Sequence, residues 1–267
     1  MGPYPILCCS DWASLEQDLQ GLPASLVSFA CVIDPMAGVP ESDLRLCFPD
    51  RLIPFKTHYA VDISDPLESI ASAHHQRDSR RALRRMQTTR CQRPSEYAQA
   101  WVALYEDNVI GRHGVTGPAA FPAESLTAQL AVPGLVAFAA ERADQVVGMQ
   151  LWFLSQGRAY YHLAAYSEVG YREGASYALM WNALSHFQEL GIRHVNLGGG
   201  AGVHSAGADG LAKFKSGWSN IELTAYFGGR IVDGEEYGRL SGSAAGAATG
   251  FFPAYRMPEQ SAKNNVR

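Results

Sequence analysis

Only four lysines stand against eighteen arginines in these 267 residues, and two of the four lie in Asp209-Gly-Leu-Ala-Lys-Phe-Lys-Ser-Gly-Trp218. That stretch follows His194-Val-Asn-Leu-Gly-Gly-Gly200, a strand-like run ending in Gly198, Gly199 and Gly200. Lysine is a compact point charge and arginine a planar fork, so the two do not exchange freely at a tight site. A lone ammonium beside a closely approaching glycine backbone suits the holding of an anionic ligand or a developing oxyanion. The same spacing also fits Lys213 and Lys215 as solvated charges on a short helix.

Other residues could share such chemistry. Arg77, Arg80, Arg81, Arg84 and Arg85 follow i, i+3, i+4, i+7, i+8 and would make one basic helical face. Like charges at that spacing repel, so an RNA backbone or nucleotide phosphate would relieve them, as would acids such as Asp78. Arg112 and His113 lie in a Gly-rich loop that suits a substrate-facing position. Histidine as a residue type can exchange protons near neutral pH, so His113 is a candidate for taking a proton from an attacking amine, or it is simply exposed. His162 lies on a strand candidate as either a buried, hydrogen-bonded ring or a cleft-lining group, and Tyr160 is a comparable candidate. Asp209 reads as an N-cap or as a carboxylate that orients the amine. His204 and Ser205 lack an acid partner and a Gly-x-Ser-x-Gly elbow, which excludes a serine hydrolase. No His, Cys and carboxylate cluster has metal-ligand spacing.

Composition narrows the class. Hydrophobic residues make up 47%, enough for a full core, and the net charge of −4 argues against a constitutive nucleic-acid binder, so any RNA contact must be local. No apolar run approaches membrane-spanning length, no signal peptide is legible, and the five cysteines are odd in number and unevenly spaced. A cytoplasmic home without membrane insertion is expected. Oligomeric state is not legible.

The elements that must position these residues read as a mixed α/β chain. Strands are expected at 26–34 and 58–63, a basic helix from Pro66 to Met86, and a second helix from Ser95 to Ile110. A short helix follows at 122–130. Two strands at 135–140 and 146–154 form a hairpin across Arg142-Ala-Asp-Gln145, and a third runs 158–165. An amphipathic helix spans 174–190 with Gly191 as its stop. A parallel strand follows at 193–197, then a short helix at 209–217. A last hairpin, 222–227 with 230–233, turns over Gly228-Gly229. The Ser/Gly/Ala-rich tail after 241 reads as flexible.

Taken in order, Tyr160-Tyr-His-Leu-Ala-Ala165, Gly174-Ala-Ser176 at a helix start, Asn196-Leu-Gly-Gly-Gly200 and Leu211-Ala-Lys-Phe-Lys-Ser-Gly-Trp218 resemble the Fem-type branch of the GNAT acyltransferases. The β-β-β-α-β-α-β-β order and the basic helix 74–90 belong to the same resemblance, which covers roughly residues 55–235. It implies a GNAT fold on a mixed sheet, with two GNAT-like halves and the substrate cleft between them. Here the expected parts are a reduced N-terminal half with the basic helix (1–94), a complete GNAT-like acyltransferase domain (95–240) and a flexible tail (241–267).

The resemblance also implies roles. Phe214 contacts the aminoacylated end of tRNA and Lys215 stabilises the tetrahedral intermediate, which agrees with the charge that aminolysis builds on a carbonyl oxygen. From spacing alone Phe214 also reads as core. GNAT enzymes that use acetyl-CoA usually carry Gln/Arg-x-x-Gly-x-Gly/Ala to cradle the pyrophosphate. Here Tyr171-Arg-Glu-Gly-Ala-Ser176 keeps Gly174 but departs at Tyr171 and Ser176, leaving Arg172 to meet a phosphate. The expected activity is amide formation from aminoacyl-tRNA onto the amine of a peptide or small-molecule acceptor, with no tightly bound cofactor. An acyl-CoA-dependent N-acetyltransferase and an inactive GNAT-fold binding module are the alternatives. The cleft would be lined by Tyr160, His162, Gly198, Gly199 and Gly200.

Overall fold

The computed structural model describes residues 6–23, 25–116, 120–200, 210–242 and 251–256. In chain order the elements begin β1 (Ile6–Leu7), α1 (Leu15–Gln20), β2 (Ser28–Ile33), α2 (Glu41–Cys47), β3 (Arg51–Asp62), α3 (Leu67–Ile70), α4 (Ala73–Leu83) and β4 (Gln87–Cys91). Next come α5 (Ala98–Leu104), a π-helical stretch (Tyr105–Arg112), α6 (Ala123–Gln129), β5 (Leu135–Arg142), β6 (Gln145–Ser155) and β7 (Arg158–Tyr166). The chain continues through α7 (Glu168–Glu173), α8 (Ala175–Glu189), β8 (His194–Gly198), α9 (Gly210–Ser216), β9 (Ile221–Ile231) and α10 (Gly234–Ser241). Two compact units result: residues 1–57 with 223–267, and residues 58–222. The boundary expected at 94 falls inside the second unit, because α4 packs on α8 and the Ser79 hydroxyl donates to the Tyr177 carbonyl at 3.2 Å.

In the first unit β1 lies parallel to β2, and β2 pairs antiparallel with β9 from Ser28↔Ile231 to Val32↔Phe227. The hairpin expected over Gly228-Gly229 is instead one continuous strand. These glycines serve close packing rather than a turn: a Cβ at Gly228 would lie 2.7 Å from Phe48, and one at Gly229 would lie 2.6 Å from Phe252. Leu15, Leu19, Ile33, Leu44 and Phe48 form the core beside them. Part of the expected flexible tail is packed. Phe252 stacks on Tyr237 at 5.9 Å, and the Tyr255 hydroxyl lies 2.7 Å from Ser28 Oγ.

The second unit orders its strands β3-β8-β7-β6-β5-β4, with β7 and β8 parallel and the other neighbours antiparallel. The parallel pair requires a crossover, which α7 and α8 supply. Ala-, Leu- and Met-rich α8 buries Ala178, Leu179, Ala183, Leu184 and Phe187, spaced at a helical period, against Phe138 and Trp152 of the sheet. Trp101, Leu104 and Leu126 of α5 and α6 cover the opposite face. Ala143 (φ 47°) and Asp144 (φ 59°) turn the β5–β6 hairpin where it was expected, in the left-handed conformation such turns need.

The basic helix differs from expectation. It breaks at Ala71–Ser72, restarts with the Ser72 hydroxyl capping His75 N–H, and ends at Leu83. Residues 87–91 are a strand paired with β5, favoured by its two threonines. Arg84 and Arg85 therefore lie in a turn, and only Arg77, Arg80 and Arg81 remain on the helix. The helix expected from Ser95 to Ile110 becomes a 3₁₀ turn (Pro94–Tyr97), α5 and the π-helical stretch. Around that widening Asn108 Nδ2 donates to the Leu104 carbonyl at 3.2 Å and His113 N–H donates to the Asn108 carbonyl at 3.3 Å.

Candidate active site

β7 and β8 pair over only three positions, Arg158↔His194 to Tyr160↔Asn196. Beyond them β7 continues beside β6 to Tyr166, while β8 continues beside β3 to Gly198, so the sheet opens between the two. Tyr161 is the first β7 residue past the fork. On β8, Asn196 Oδ1 accepts from Gly198 N–H at 2.7 Å and shapes the chain as it leaves the strand. Gly198 adopts φ 76°, a left-handed conformation that glycine enters without strain.

α9 brings Lys215 to this opening. Lys213 is exposed, but Lys215 keeps only 6% of its surface accessible. Burying an ammonium costs several kcal/mol unless it is hydrogen-bonded. Lys215 Nζ donates to the Gly199 carbonyl at 2.6 Å and lies 5.6 Å from the centre of the Tyr161 ring. A Cβ on Gly198 would come within 3.3 Å of Nζ. The ammonium is thus fitted between β7 and the Gly198-Gly199 turn and is not a solvated charge.

His75, which sequence reasoning passed over, seats α9. Its Nε2–H donates to the Phe214 carbonyl at 2.9 Å, and Nδ1 accepts from the Ser72 hydroxyl at 2.7 Å. Burial lowers its pKa, the Phe214 bond opposing, so the ring is held neutral and works as a fixed donor. The same ring lies where a Cβ on Gly217 would fall, 2.0 Å from His75 Cε1. Phe214 packs among His75, Tyr177 and Trp218 at centroid distances of 5.6, 5.2 and 6.2 Å. Its ring belongs to the wall that orients Lys215. The signal was present in Ser72-x-x-His75, but nothing local tied it to residue 214.

Behind Lys215 runs a second group that the sequence did not single out. Tyr161 and Tyr166 hydroxyls lie 3.3 Å apart, and Gln150 Nε2 donates to Tyr166 at 2.9 Å. Burial pushes the Tyr161 phenol well above its ordinary range and Tyr166 to about 12, so both remain protonated. Tyr171 packs edge-on to Tyr166 at 5.3 Å. Arg112, at the end of the π-helical stretch, places its guanidinium 5.0 Å from the Tyr171 centroid, and His113 Nε2 lies 3.1 Å from the Tyr171 hydroxyl. Arg112 and His113 thus meet at Tyr171.

The remaining candidates disperse. Tyr160 is buried, and its position in the strand turns it to the face opposite Tyr161. His162 sits at a bulge and faces α6, where Nε2 donates to Gln129 Oε1 at 2.8 Å; burial lowers its pKa to about 4. The basic face is largely internally compensated. Asp78 lies 3.3 Å from Arg81 and 3.7 Å from Arg77, Arg80 donates to Gln76, and Arg85 pairs with Glu173 at 3.0 Å. Arg84 is exposed in the turn after α4. Arg172 is exposed and lies 3.8 Å from Glu173. Gly200 follows Gly199 out of β8, whereas Asp209, His204 and Ser205 lie outside the described residues.

No curated protein matches the chain in sequence. Among solved structures, FemX superposes with a TM-score of 0.54 at 11% identity, covering 68% of this chain and 63% of FemX, so the chain spans less than two thirds of that protein. The C-terminal domain of a protein assigned as a lysylphosphatidylglycerol synthetase from Agrobacterium fabrum gives 0.56 at 14% identity, covering 84% of this chain and 72% of that one. L-PGS from Bacillus licheniformis gives 0.53 at 18% identity, covering 78% and 68%. At these identities the likeness is one of fold, the GNAT fold with Fem-like neighbours. The model of the acetyltransferase (GNAT) domain matches residues 73–215, more than half of the chain and the whole path from α4 to Lys215. The chain belongs to the acetyltransferase (GNAT) domain family.

Proposed function

We propose that the protein forms amide bonds by moving an aminoacyl group from aminoacyl-tRNA to the amine of a peptide or small-molecule acceptor. The observation that carries this reading is the buried Lys215 ammonium at the fork of β7 and β8. The acceptor nitrogen attacks the ester carbonyl, a C–N bond forms, and the carbonyl oxygen gains negative charge. Lys215 Nζ–H donates to that oxyanion; collapse then breaks the C–O bond to the ribose, whose oxygen takes a proton as the nitrogen loses one. Because Nζ is already fixed by Gly199, little reorganisation accompanies the charge. Proton removal is left to water or the substrate, with His113 the side-chain candidate. Charged tRNA is a cytoplasmic donor, and the reading puts the protein there. Among the described residues no helix is long and apolar enough to cross a membrane.

An acyl-CoA donor is the second reading, favoured by the family description and by Gly174 at the start of α8. The departures of Tyr171 and Ser176 from the pyrophosphate-cradling pattern oppose it. Lys215→Met is expected to lower kcat by about a hundredfold to a thousandfold with the melting temperature little changed. Unaltered kcat would remove the mechanism. Thermal shift by charged tRNA but not by acyl-CoA, with an apparent affinity that falls steeply with salt, is the expected donor signature. The reverse pattern would select acyl-CoA.

A further inference from the structure

β8 carries one polar side chain in its buried middle. Val195 and Leu197 on either side join the hydrophobic core, while Asn196 between them is only 1% exposed. Its Nδ2 is buried and finds no hydrogen-bond partner among the described residues. An unpaired buried amide donor carries a cost that an aliphatic side chain of similar shape avoids. Packing alone therefore does not account for asparagine here. The other end of the amide is engaged: Oδ1 accepts from Gly198 N–H at 2.7 Å. This is the turn that asparagine makes with the backbone two residues on. It sets the direction in which the chain leaves β8 through Gly198, at φ 76°, and with it the aim of the next carbonyl. That carbonyl, of Gly199, is the acceptor of Lys215 Nζ at 2.6 Å.

The base of this arrangement is held on both sides. Asn196 stands at the vertex of the fork, at the last position where β7 and β8 pair, Tyr160↔Asn196, and its other edge pairs with Ala60 of β3. We propose that Asn196 is a positioning residue for the reaction: its side chain fixes the Gly198-Gly199 turn, and the turn fixes the ammonium. The proposal rests on the reading of Lys215 as the oxyanion's donor. Lys215 is then placed from two directions. His75 seats the helix that carries it, through the Phe214 carbonyl, and Asn196 seats the carbonyl that receives it. Gly198 is half-buried, so water can take over its N–H once residue 196 no longer accepts, but water does not hold the turn in one shape. A misplacement of about 1 Å at a reacting centre can lower the rate about a hundredfold.

With only four lysines in the full chain, isotope-labelled lysine lets NMR follow the ammonium groups one by one, and Lys215→Met identifies the signal of Lys215. Asn196→Leu should shift that signal and speed the exchange of its protons with water, with the melting temperature unchanged or raised. Asn196→Thr, whose hydroxyl can accept from the same N–H, should recover much of the wild-type signal. With charged tRNA as donor, Asn196→Leu should lower kcat by about tenfold to a hundredfold with KM little changed. In a Lys215→Met background it should add no further loss, since it acts through Lys215. A wild-type ammonium signal in Asn196→Leu overturns the proposal. So does an Asn196→Thr protein no nearer to wild type than Asn196→Leu, or a melting temperature that falls in step with kcat. The reading beneath it fails separately. If Lys215→Met keeps its kcat, Lys215 is not the oxyanion's donor, and the NMR comparison still decides whether Asn196 sets the place of the ammonium.

Discussion

Lys215 is held by groups that leave it little latitude. One donor goes to Gly199, the Tyr161 ring lies beneath, and the Gly198 Cα stands where any side chain would push on Nζ. Arginine has the charge but not the shape, because a planar fork needs more room than this buried niche offers. Lys215→Arg should therefore fail nearly as badly as Lys215→Met in a kcat assay; activity within a few-fold of wild type would show that charge alone suffices. Gly198→Ala tests the niche from the other side. Its Cβ would meet Nζ at 3.3 Å in a backbone at φ 76°, so kcat should drop by about tenfold or more with binding of the donor less affected. The scarcity of lysine made residue 215 legible in the sequence. Tyr161 was not, because strand alternation separates Tyr161 from Tyr160 and His162 but cannot say which face α9 will meet.

α9 has seven residues, too short to hold itself in place, so its neighbours fix it. The His75 ring fills the space beside Gly217 and bonds the Phe214 carbonyl. Gly217→Ala must displace one or the other and should cost about 1–3 kcal/mol by denaturant unfolding, with a parallel fall in kcat. In a His75→Ala background the clash is gone, so the same substitution should cost much less; additive losses would show that the seat does not couple them. At this scale the sequence was uneven. α8, the β5–β6 hairpin and the parallel β8 were legible because apolar period, turn residues and a glycine stop agree. β9 was misread because paired glycines signal a turn locally, while their reason lies in Phe48 and Phe252, far away in the chain. β4 was hidden inside an arginine-rich run whose charge pattern continues past the helix end at Leu83. The π-helical widening has no periodic signature strong enough to announce itself.

At the scale of the whole molecule, the second unit holds three histidines whose pKa values are lowered chiefly by burial: His75, His162 and His186. In the unfolded chain each would titrate near 6.5, so on acidification the unfolded state takes up protons first. Their stabilising contribution is complete above about pH 6.5 and is lost as pH falls towards the folded values, about 4 for His162. His162 alone can cost up to about 3 kcal/mol by the bottom of that window. Carboxylates act in a separate range. Asp62, lowered from 3.8 to about 2 chiefly by its Ser64 hydrogen bond, withdraws its contribution only as pH drops through those values. Denaturant unfolding between pH 7.5 and 4 should therefore show stability declining well above the carboxylate range. In His162→Gln, whose amide can still donate to Gln129, that decline should be shallower while the loss below pH 4 is unchanged. A flat profile down to pH 4.5 in the wild-type protein would mean that these rings accept protons without leaving their places. The seat that His75 provides for Lys215 would then have to tolerate a charged imidazolium.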